Sequence, residues 1–342
     1  GGSIKLDGNY PTGTGNVALG DAALDDGSLS GNNNTAIGNA ALGENTTGTE
    51  NVAVGGFAAD AVTTGADNTA IGYAAYSAAQ TASNNTAIGA YALDAVVTGN
   101  SNTATGYAAL GANTSGTQNV ANGVNASYQS TTASNNTALG FQSALAANPT
   151  ATGNVAIGYV AGDAITTSPS NTLVGTAAGS AISTGSGENV CVGNNAGTAM
   201  TTGQQNIFIG DNCAGTGVVT GARNVGIGDN CMLSVTSGNN NVCLGADAGD
   251  AITEASNTVA IGYQALTALT TGGNNTSVGA YSLDACTTGN NMTAVGINAL
   301  TLTTTGTHSD AFGVNALAGM TTGVYNVGLG NSAMTTLTTG QF

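Results

Sequence analysis

Charge, tryptophan and aromatic side chains are scarce in this sequence. Only 6% of its 342 residues are charged, 4% are aromatic, and tryptophan is absent. An average soluble domain carries about 25% charged residues, so the composition argues against an ordinary globular enzyme. It also argues against disorder, because 41% of the residues are hydrophobic and disordered chains combine low hydrophobicity with high charge.

Positive charge is nearly missing. Lys5 and Arg223 are the only cations, and the formal net charge is −16. Nucleic-acid-binding proteins need a basic surface to displace counterions, so we expect no nucleic-acid partner, and binding to an anionic membrane surface is disfavoured for the same reason. The sequence has no run of about 18 apolar residues, so we expect no membrane insertion.

One short motif fills the chain instead. Asn33–Gly38 reads NNTAIG, the same letters return at Asn84–Gly89, and close variants cover the rest. The glycine that closes the motif recurs 19 times, at 14 intervals of 17 residues and four of 18. So constant a period predicts one architecture. We divide the chain into a lead-in segment, residues 1–15, and a continuous repeat rod, residues 16–342, with 19 coils of which the last is incomplete.

The repeat predicts an all-β fold. Each copy holds a short β-branched strand with period-two alternation, then a second short stretch and a turn rich in Gly, Asn and Ser. Seventeen residues are too few for a helical-hairpin repeat or a propeller blade, and they suit one coil of a parallel β-solenoid with 17–18-residue coils. Coils stacked at about 4.8 Å would form a rod.

Two columns of the repeat predict structural ladders. Four residues before the glycine, 16 of 19 positions are Asn, and the exceptions are Thr258, Met292 and Ser309. Stacked side-chain amides can bond from coil to coil, and the glycine permits a positive φ or a close backbone approach. The predicted ladder residues include Asn34, Asn51, Asn68, Asn85, Asn102, Gly38, Gly55, Gly72, Gly89 and Gly106.

The strand carries apolar or small side chains on both faces, which indicates an oligomer. The residue before the glycine, which is Ile, Leu, Val or Phe except at Thr105 and Asn122, is expected to build the internal core of the coil. The residue before that one is mostly Ala and is expected to mark close approach of another chain. A strand buried on both faces needs a second partner, and an intertwined homotrimer is the natural choice for a fibre. We therefore expect Ala36→Leu or Ala87→Leu to disrupt trimer assembly.

The motif resembles the repeat shafts of bacteriophage tail fibres and the head repeats of trimeric autotransporter adhesins. The resemblance rests on N-[SVT]-[VAT]-[AI]-[IV]-G-x-x-A repeated in register from Asn16 to the C-terminus, with Asn68–Ala74 as an example. Turns such as Thr98-Gly99 are nearer the phage type. The resemblance implies a left-handed parallel β-roll wound into a homotrimer.

The five cysteines suggest no metal site. They are Cys191, Cys213, Cys231, Cys243 and Cys286, and none forms a CxxC pair. Cys213 and Cys231 occupy the same column in successive coils, so they are expected to stack within disulfide reach. We interpret them as small buried residues in place of Ala.

No other motif indicates catalysis or a cofactor. His308 has no matching Ser and Asp and is interpreted as a surface turn residue. The glycines lack a phosphate-loop lysine. Asp recurs five residues after the glycine without occupying adjacent coils, so no shared metal site is predicted within one chain, although an ion on a threefold axis stays an alternative; these residues are Asp25, Asp60, Asp94, Asp163, Asp250 and Asp284.

These observations favour a structural, non-enzymatic fibre. We expect a rigid shaft on a virion or in the extracellular space that displays or spaces receptor-binding parts and whose partner is itself. The alternative is an adhesin head module on a bacterial cell surface that binds host glycan or matrix protein through lateral residues such as Tyr76, Tyr128 and Tyr325. A fibre-borne depolymerase is the poorest candidate, since the only paired carboxylates lie in the turn at Asp25-Asp26.

Overall fold

The computed structural model describes residues 13–144, 150–185 and 187–340 and shows an all-β, parallel β-solenoid. Most of the lead-in segment lies outside the described residues. The chain forms two compact units, Gly1–Ser170 and Asn171–Phe342. The predicted solenoid fold and its 17–18-residue coils are confirmed within each unit.

The described residues of the first unit contain nine strands, one in each coil. They are β1 Val17–Leu19, β2 Thr35–Ile37, β3 Val52–Val54, β4 Thr69–Ile71, β5 Thr86–Ile88, β6 Thr103–Thr105, β7 Val120–Asn122, β8 Thr137–Leu139 and β9 Val155–Ile157. Each strand pairs in parallel with the next along the chain, so that Ala36 lies opposite Ala53 and Ala53 opposite Ala70.

Ten strands are arranged in the same way in the part of the second unit that the structure describes. They are β10 Thr172–Val174, β11 Val190–Val192, β12 Ile207–Ile209, β13 Val225–Ile227, β14 Val242–Leu244, β15 Val259–Ile261, β16 Thr276–Val278, β17 Thr293–Val295, β18 Asp310–Phe312 and β19 Val327–Leu329. The register never slips by a residue; Cys191, for example, lies opposite Phe208, and Cys243 opposite Ala260.

Turns of unusual backbone conformation close each coil. In the coil that begins with β2, the residues Ala40, Leu42 and Glu50 have φ values of 54°, 50° and 59°. Such values are uncommon outside glycine. Here hydrogen bonds to neighbouring coils stabilise them, because Ala40 N–H donates to Asp21 in the coil before and Leu42 N–H donates to Ala58 in the coil after.

The core of each coil takes the middle residue of its strand, which is most often alanine, and not the residue just before the repeat glycine. The middle residue is buried in every strand from β2 to β19. Ala36 is fully buried, whereas Ile37 is 37% exposed. The expectation of an internal Ile/Val/Leu ladder is therefore wrong. The turn brings Ala41 and Leu42 into the same narrow interior, which leaves room only for a small residue on the strand.

Candidate functional site

The strand motif places an asparagine ladder inside the coil. The Asn68 backbone N–H and side-chain Nδ2 both donate to Asn51 Oδ1 at 3.0 Å, and Nδ2 also donates to the Ala82 carbonyl at 3.0 Å. Asn85 repeats the arrangement on Asn68 Oδ1 at 3.0 and 3.4 Å. The structure thus brings together the predicted residues Asn34, Asn51, Asn68, Asn85 and Asn102 in successive coils.

The three substituted positions interrupt this ladder in the second unit. The backbone N–H of Thr258 still donates to Asn241 Oδ1, and that of Met292 to Asn275 Oδ1. Neither replacement offers a carboxamide for the next coil, so the side-chain bonds stop there. Ser309 resumes the pattern in part, since its hydroxyl accepts from the Asn326 N–H at 3.2 Å.

The repeat glycine is required by the contact between coils. Gly38 has a φ of 140°, and a Cβ added to it would lie 2.5 Å from the carbonyl carbon of Gly55. Backbone atoms cannot move aside as a flexible side chain can. The predicted glycines of the following coils have φ values from 130° to 138° and a similar environment; they are Gly55, Gly72, Gly89 and Gly106.

The side chains one and three residues before each repeat glycine form a surface that we call the outer strand face. Its column one residue before the glycine is apolar in all ten strands of the second unit. In the first unit only Thr105 and Asn122 break that column. Ile227 and Phe312 are each 40% exposed. In both units the side chains of this apolar column are half-buried or exposed.

In a series of turns that begin with threonine, the hydroxyl of that threonine forms a hydrogen bond to the next coil. The Oγ1 of Thr236 donates to the carbonyl of Thr253 in the next coil at 3.0 Å, and Thr253 Oγ1 donates to Thr270 at 3.1 Å. The series continues through Thr270, Thr287, Thr304 and Thr321 to Thr338. In this series the hydroxyl of the first turn threonine thus bonds each coil to the next.

All five cysteines are free and buried. Cys213 Sγ lies 3.3 Å from the Gly226 carbonyl, and Cys231 Sγ lies 3.2 Å from the Cys243 carbonyl. The hydrogen bond with Cys231, together with burial, raises the pKa of the Cys213 thiol. Burial alone raises the pKa of Cys191 to about 12. Cys191 and Cys213 are therefore poor nucleophiles, because the thiolate is the reactive form.

The aspartates of the turn column lie apart from one another. Desolvation raises the pKa of Asp60, Asp94, Asp163 and Asp250 above the ordinary value. Asp284 instead accepts a hydrogen bond from Thr301 Oγ1 at 2.7 Å. Among the described residues, no three His, Cys, Asp or Glu side chains are placed to hold a metal ion.

The three tyrosines singled out from the sequence occupy different environments. Tyr76 is fully buried; its hydroxyl donates to the Ala82 carbonyl at 2.9 Å and accepts from Asn85 Nδ2 at 2.7 Å. A lateral contact role for Tyr76 is therefore wrong. Tyr128 is 45% exposed, and Tyr325 is 60% exposed and stacks on the exposed ring of His308 at a centroid distance of 5.0 Å.

An exposed row of rings was missed in the sequence. Phe57, Tyr73, Tyr91 and Tyr107 follow the glycines of four successive coils, and we call them the aromatic ladder. Their centroids are 5.9, 5.6 and 5.9 Å apart, with interplanar angles of 76–81°. The signal was present as an alternation after the glycine, where the letters read GGF, GYA, GAY and GYA.

Comparison with known proteins identifies no family. A scan against protein-family models gives no match, and a search of curated proteins gives none either. Within the part of the chain that the structure describes, no helix is long and apolar enough to cross a membrane.

Proposed function

We propose that this chain is a repeat segment of a fibre on a virion or in the extracellular space, with a structural and non-enzymatic role. The observation that carries the proposal is the apolar column of the outer strand face, which is unbroken in the second unit and whose side chains are half-buried or exposed. Soluble proteins rarely expose large contiguous apolar patches unless they contact a partner.

Energetics support association of copies through this face. Burying a wholly exposed Val, Leu or Ile is worth about 1.5–3 kcal/mol, and the exposed part of each residue here is worth a fraction of that amount. Ten such residues in register add up along the second unit. Because the strand register is constant in both copies, a second copy can make the same contact at every coil.

A left-handed homotrimer is the assembly that we propose, in line with the resemblance to phage tail-fibre shafts and adhesin heads. The small size of alanine led us to expect that the alanine side of the strand faces the other chains. In the proposed trimer, the opposite side of the strand faces them. Ala36 fills its own coil, so Thr35 and Ile37 are the residues that would meet the other two chains.

Light scattering and sedimentation velocity on the whole chain test this proposal. We expect a trimer at micromolar concentration, and we expect Ile227→Thr combined with Ile261→Thr to shift it towards monomer. Val218→Thr is the matched control, since Val218 is 58% exposed but lies outside the strands. A wild-type chain that stays monomeric at about 100 μM would contradict the trimer.

An adhesin head module on a bacterial surface is the second candidate function. The exposed aromatic residues favour it, because tyrosine provides large contact area at low entropic cost. Glycan arrays and cell-binding assays with the isolated chain distinguish the two roles. Binding in these assays supports the module, whereas a blank result leaves the fibre role alone.

A further inference from the structure

The aromatic ladder has the properties of a ligand platform. Its four rings are 40%, 52%, 38% and 53% exposed, in the order Phe57, Tyr73, Tyr91 and Tyr107. We propose that the ladder binds a neutral, linear polysaccharide laid along successive coils. This inference does not depend on the fibre role; it deepens the second candidate function by naming the residues and the sugar class.

The backbone prearranges the rings. In each coil the ring takes one of the two positions after the glycine, and the other position is Gly or Ala, as in Gly56-Phe57 and Tyr73-Ala74. The ring position alternates from coil to coil, and each ring packs edge-to-face against its neighbours. Rings held in this way lose little freedom on binding, which favours affinity.

Rings at alternating positions after the glycine pack edge-to-face, whereas rings at the same position stack face to face. Phe141 and Tyr159 both occupy the first position after their glycines, and their rings stack at an interplanar angle of 11°. Tyr263 and Tyr281 alternate as the ladder does, and their angle is 87°. The four-ring ladder is thus the longest run of one repeated arrangement among the described aromatic pairs.

Charge restricts the partner. The eight positions of the ladder columns over these four coils are Gly, Ala, Phe or Tyr, with no charged residue. An anionic polymer finds no counter-charge there and is repelled by a chain of net charge −16. The same net charge attracts a cationic polymer to the chain as a whole, but the ladder itself holds no carboxylate to fix such a polymer there. A neutral partner matches the surface.

Shape and polarity select a carbohydrate among neutral partners. The ladder offers one ring per coil, at a rise of about 4.8 Å, which suits a linear polymer. A pyranose ring has an apolar C–H face and hydroxyl edges. Tyr73, Tyr91 and Tyr107 combine an apolar ring with a hydroxyl that needs a polar partner, so a sugar satisfies both parts, whereas a hydrocarbon satisfies only the ring.

Calorimetric titration of the whole chain with hexasaccharides tests the site. The neutral probes are cellohexaose, xylohexaose and maltohexaose, and the charged probes of equal length are a chitosan hexamer and a hexagalacturonate. We expect at least one neutral probe to bind and both charged probes to bind more weakly. Absence of binding by all neutral probes at millimolar concentration, or tighter binding of a charged one, overturns the proposal.

Variants assign the binding to the ladder. Tyr73→Ala combined with Tyr91→Ala should weaken the bound neutral hexamer by more than about tenfold, as loss of a central aromatic contact does. Tyr73→Phe with Tyr91→Phe keeps the rings and should weaken it less. Tyr128→Ala removes an exposed ring outside the ladder and should leave binding unchanged; equal affinity in the ladder and control variants refutes the site.

Two further measurements separate sugar binding at the ladder from misfolding and from self-association. Tyr107→Ala removes a terminal ring with one aromatic neighbour, so it tests the ladder if the double variant fails to fold. Light scattering on the same variants reads self-association independently of sugar binding. If the alanine variants dissociate an oligomer and wild-type sugar binding is absent, a second copy covers the ladder and the polysaccharide proposal fails.

Discussion

Asn34 and Asn51 lie one coil apart, and a single side-chain oxygen joins them. Oδ1 of Asn34 accepts from the backbone N–H of Asn51 at 3.0 Å and from its Nδ2 at 3.2 Å. Asn51 Nδ2 also donates to the Gly65 carbonyl at 2.8 Å. One buried carboxamide therefore fixes its own coil and the next one along.

Asn68→Ala should destabilise the first unit by about 2–4 kcal/mol, because it leaves the buried N–H of Asn85 without its partner and removes a donor from the carbonyl of Ala82. Urea denaturation followed by circular dichroism measures the loss. Asn39→Ala is the control, since Asn39 is exposed and makes one 3.3 Å bond. Equal midpoints for both variants would show that the ladder contributes nothing.

Gly72→Ala should lower the free energy of unfolding by more than about 3 kcal/mol or prevent folding. Gly72 has a φ of 137°, and an added Cβ would lie 2.6 Å from the Gly89 carbonyl carbon. Gly27→Ala is the matched control, because an added Cβ there meets nothing within 4 Å. Its stability should stay constant or rise slightly. Thermal melts of both variants give the comparison.

Ala87→Leu should destabilise the coil itself by about 1–3 kcal/mol or more, because Ala87 is fully buried and a larger side chain overpacks the interior. Ile88→Thr on the outer strand face should change the stability of the isolated chain by less than about 1 kcal/mol. Denaturation and light scattering are measured on both. An Ala87→Leu chain of normal stability with altered oligomeric state would restore the interpretation in which alanine faces another chain.

Asp94 should make the protein less stable at neutral than at acidic pH. Desolvation raises the folded-state pKa of Asp94, so the folded state binds the proton more tightly than the unfolded state. Stability then falls as pH rises from the unfolded value through the raised one. Asp94→Asn should flatten this dependence and raise stability at pH 7 by less than about 0.5 kcal/mol.

Asp26 serves as a control, because its contribution to stability should change with pH in the opposite direction. The hydrogen bonds from Ser28, first from its side chain and then from its backbone, lower the Asp26 pKa, so its contribution is present above the unfolded pKa and is lost as pH falls through the folded one. Asp26→Asn should therefore reduce stability at neutral pH. Denaturation midpoints between pH 3 and 7 show both slopes, and identical slopes for the two variants would refute the assignment.

Cys191 and Cys286 should resist thiol reagents in the native state. Burial raises their pKa values to about 12 and about 11, respectively, and the thiolate is the form that reacts. Ellman's reagent at pH 8, followed by peptide mass spectrometry, should label them only in denaturant. Rapid labelling of the native chain at the rate of a free thiol would mean that the coils open readily.

The sequence by itself determined the solenoid, its period and the positions of the asparagine and glycine columns, because these depend on spacing along one chain. In-register stacking turns each constant position into a column, so Asn51 has to lie beside Asn34 once coils stack. The aromatic ladder is also encoded in the spacing, but its rings alternate between two positions after the glycine, so no single column of the repeat contains them.

Only the tertiary structure decided which face of the strand is the core. Thr35, Ala36 and Ile37 carry no strongly polar side, and hydrophobicity ranks Ile37 as the interior residue. Left-handed turn residues bring Leu42 into the same narrow coil, which leaves space for Ala36 and turns Ile37 outward. The path of the whole coil sets the volume inside it, and this volume outweighed the preference of the hydrophobic Ile37 side chain for the interior.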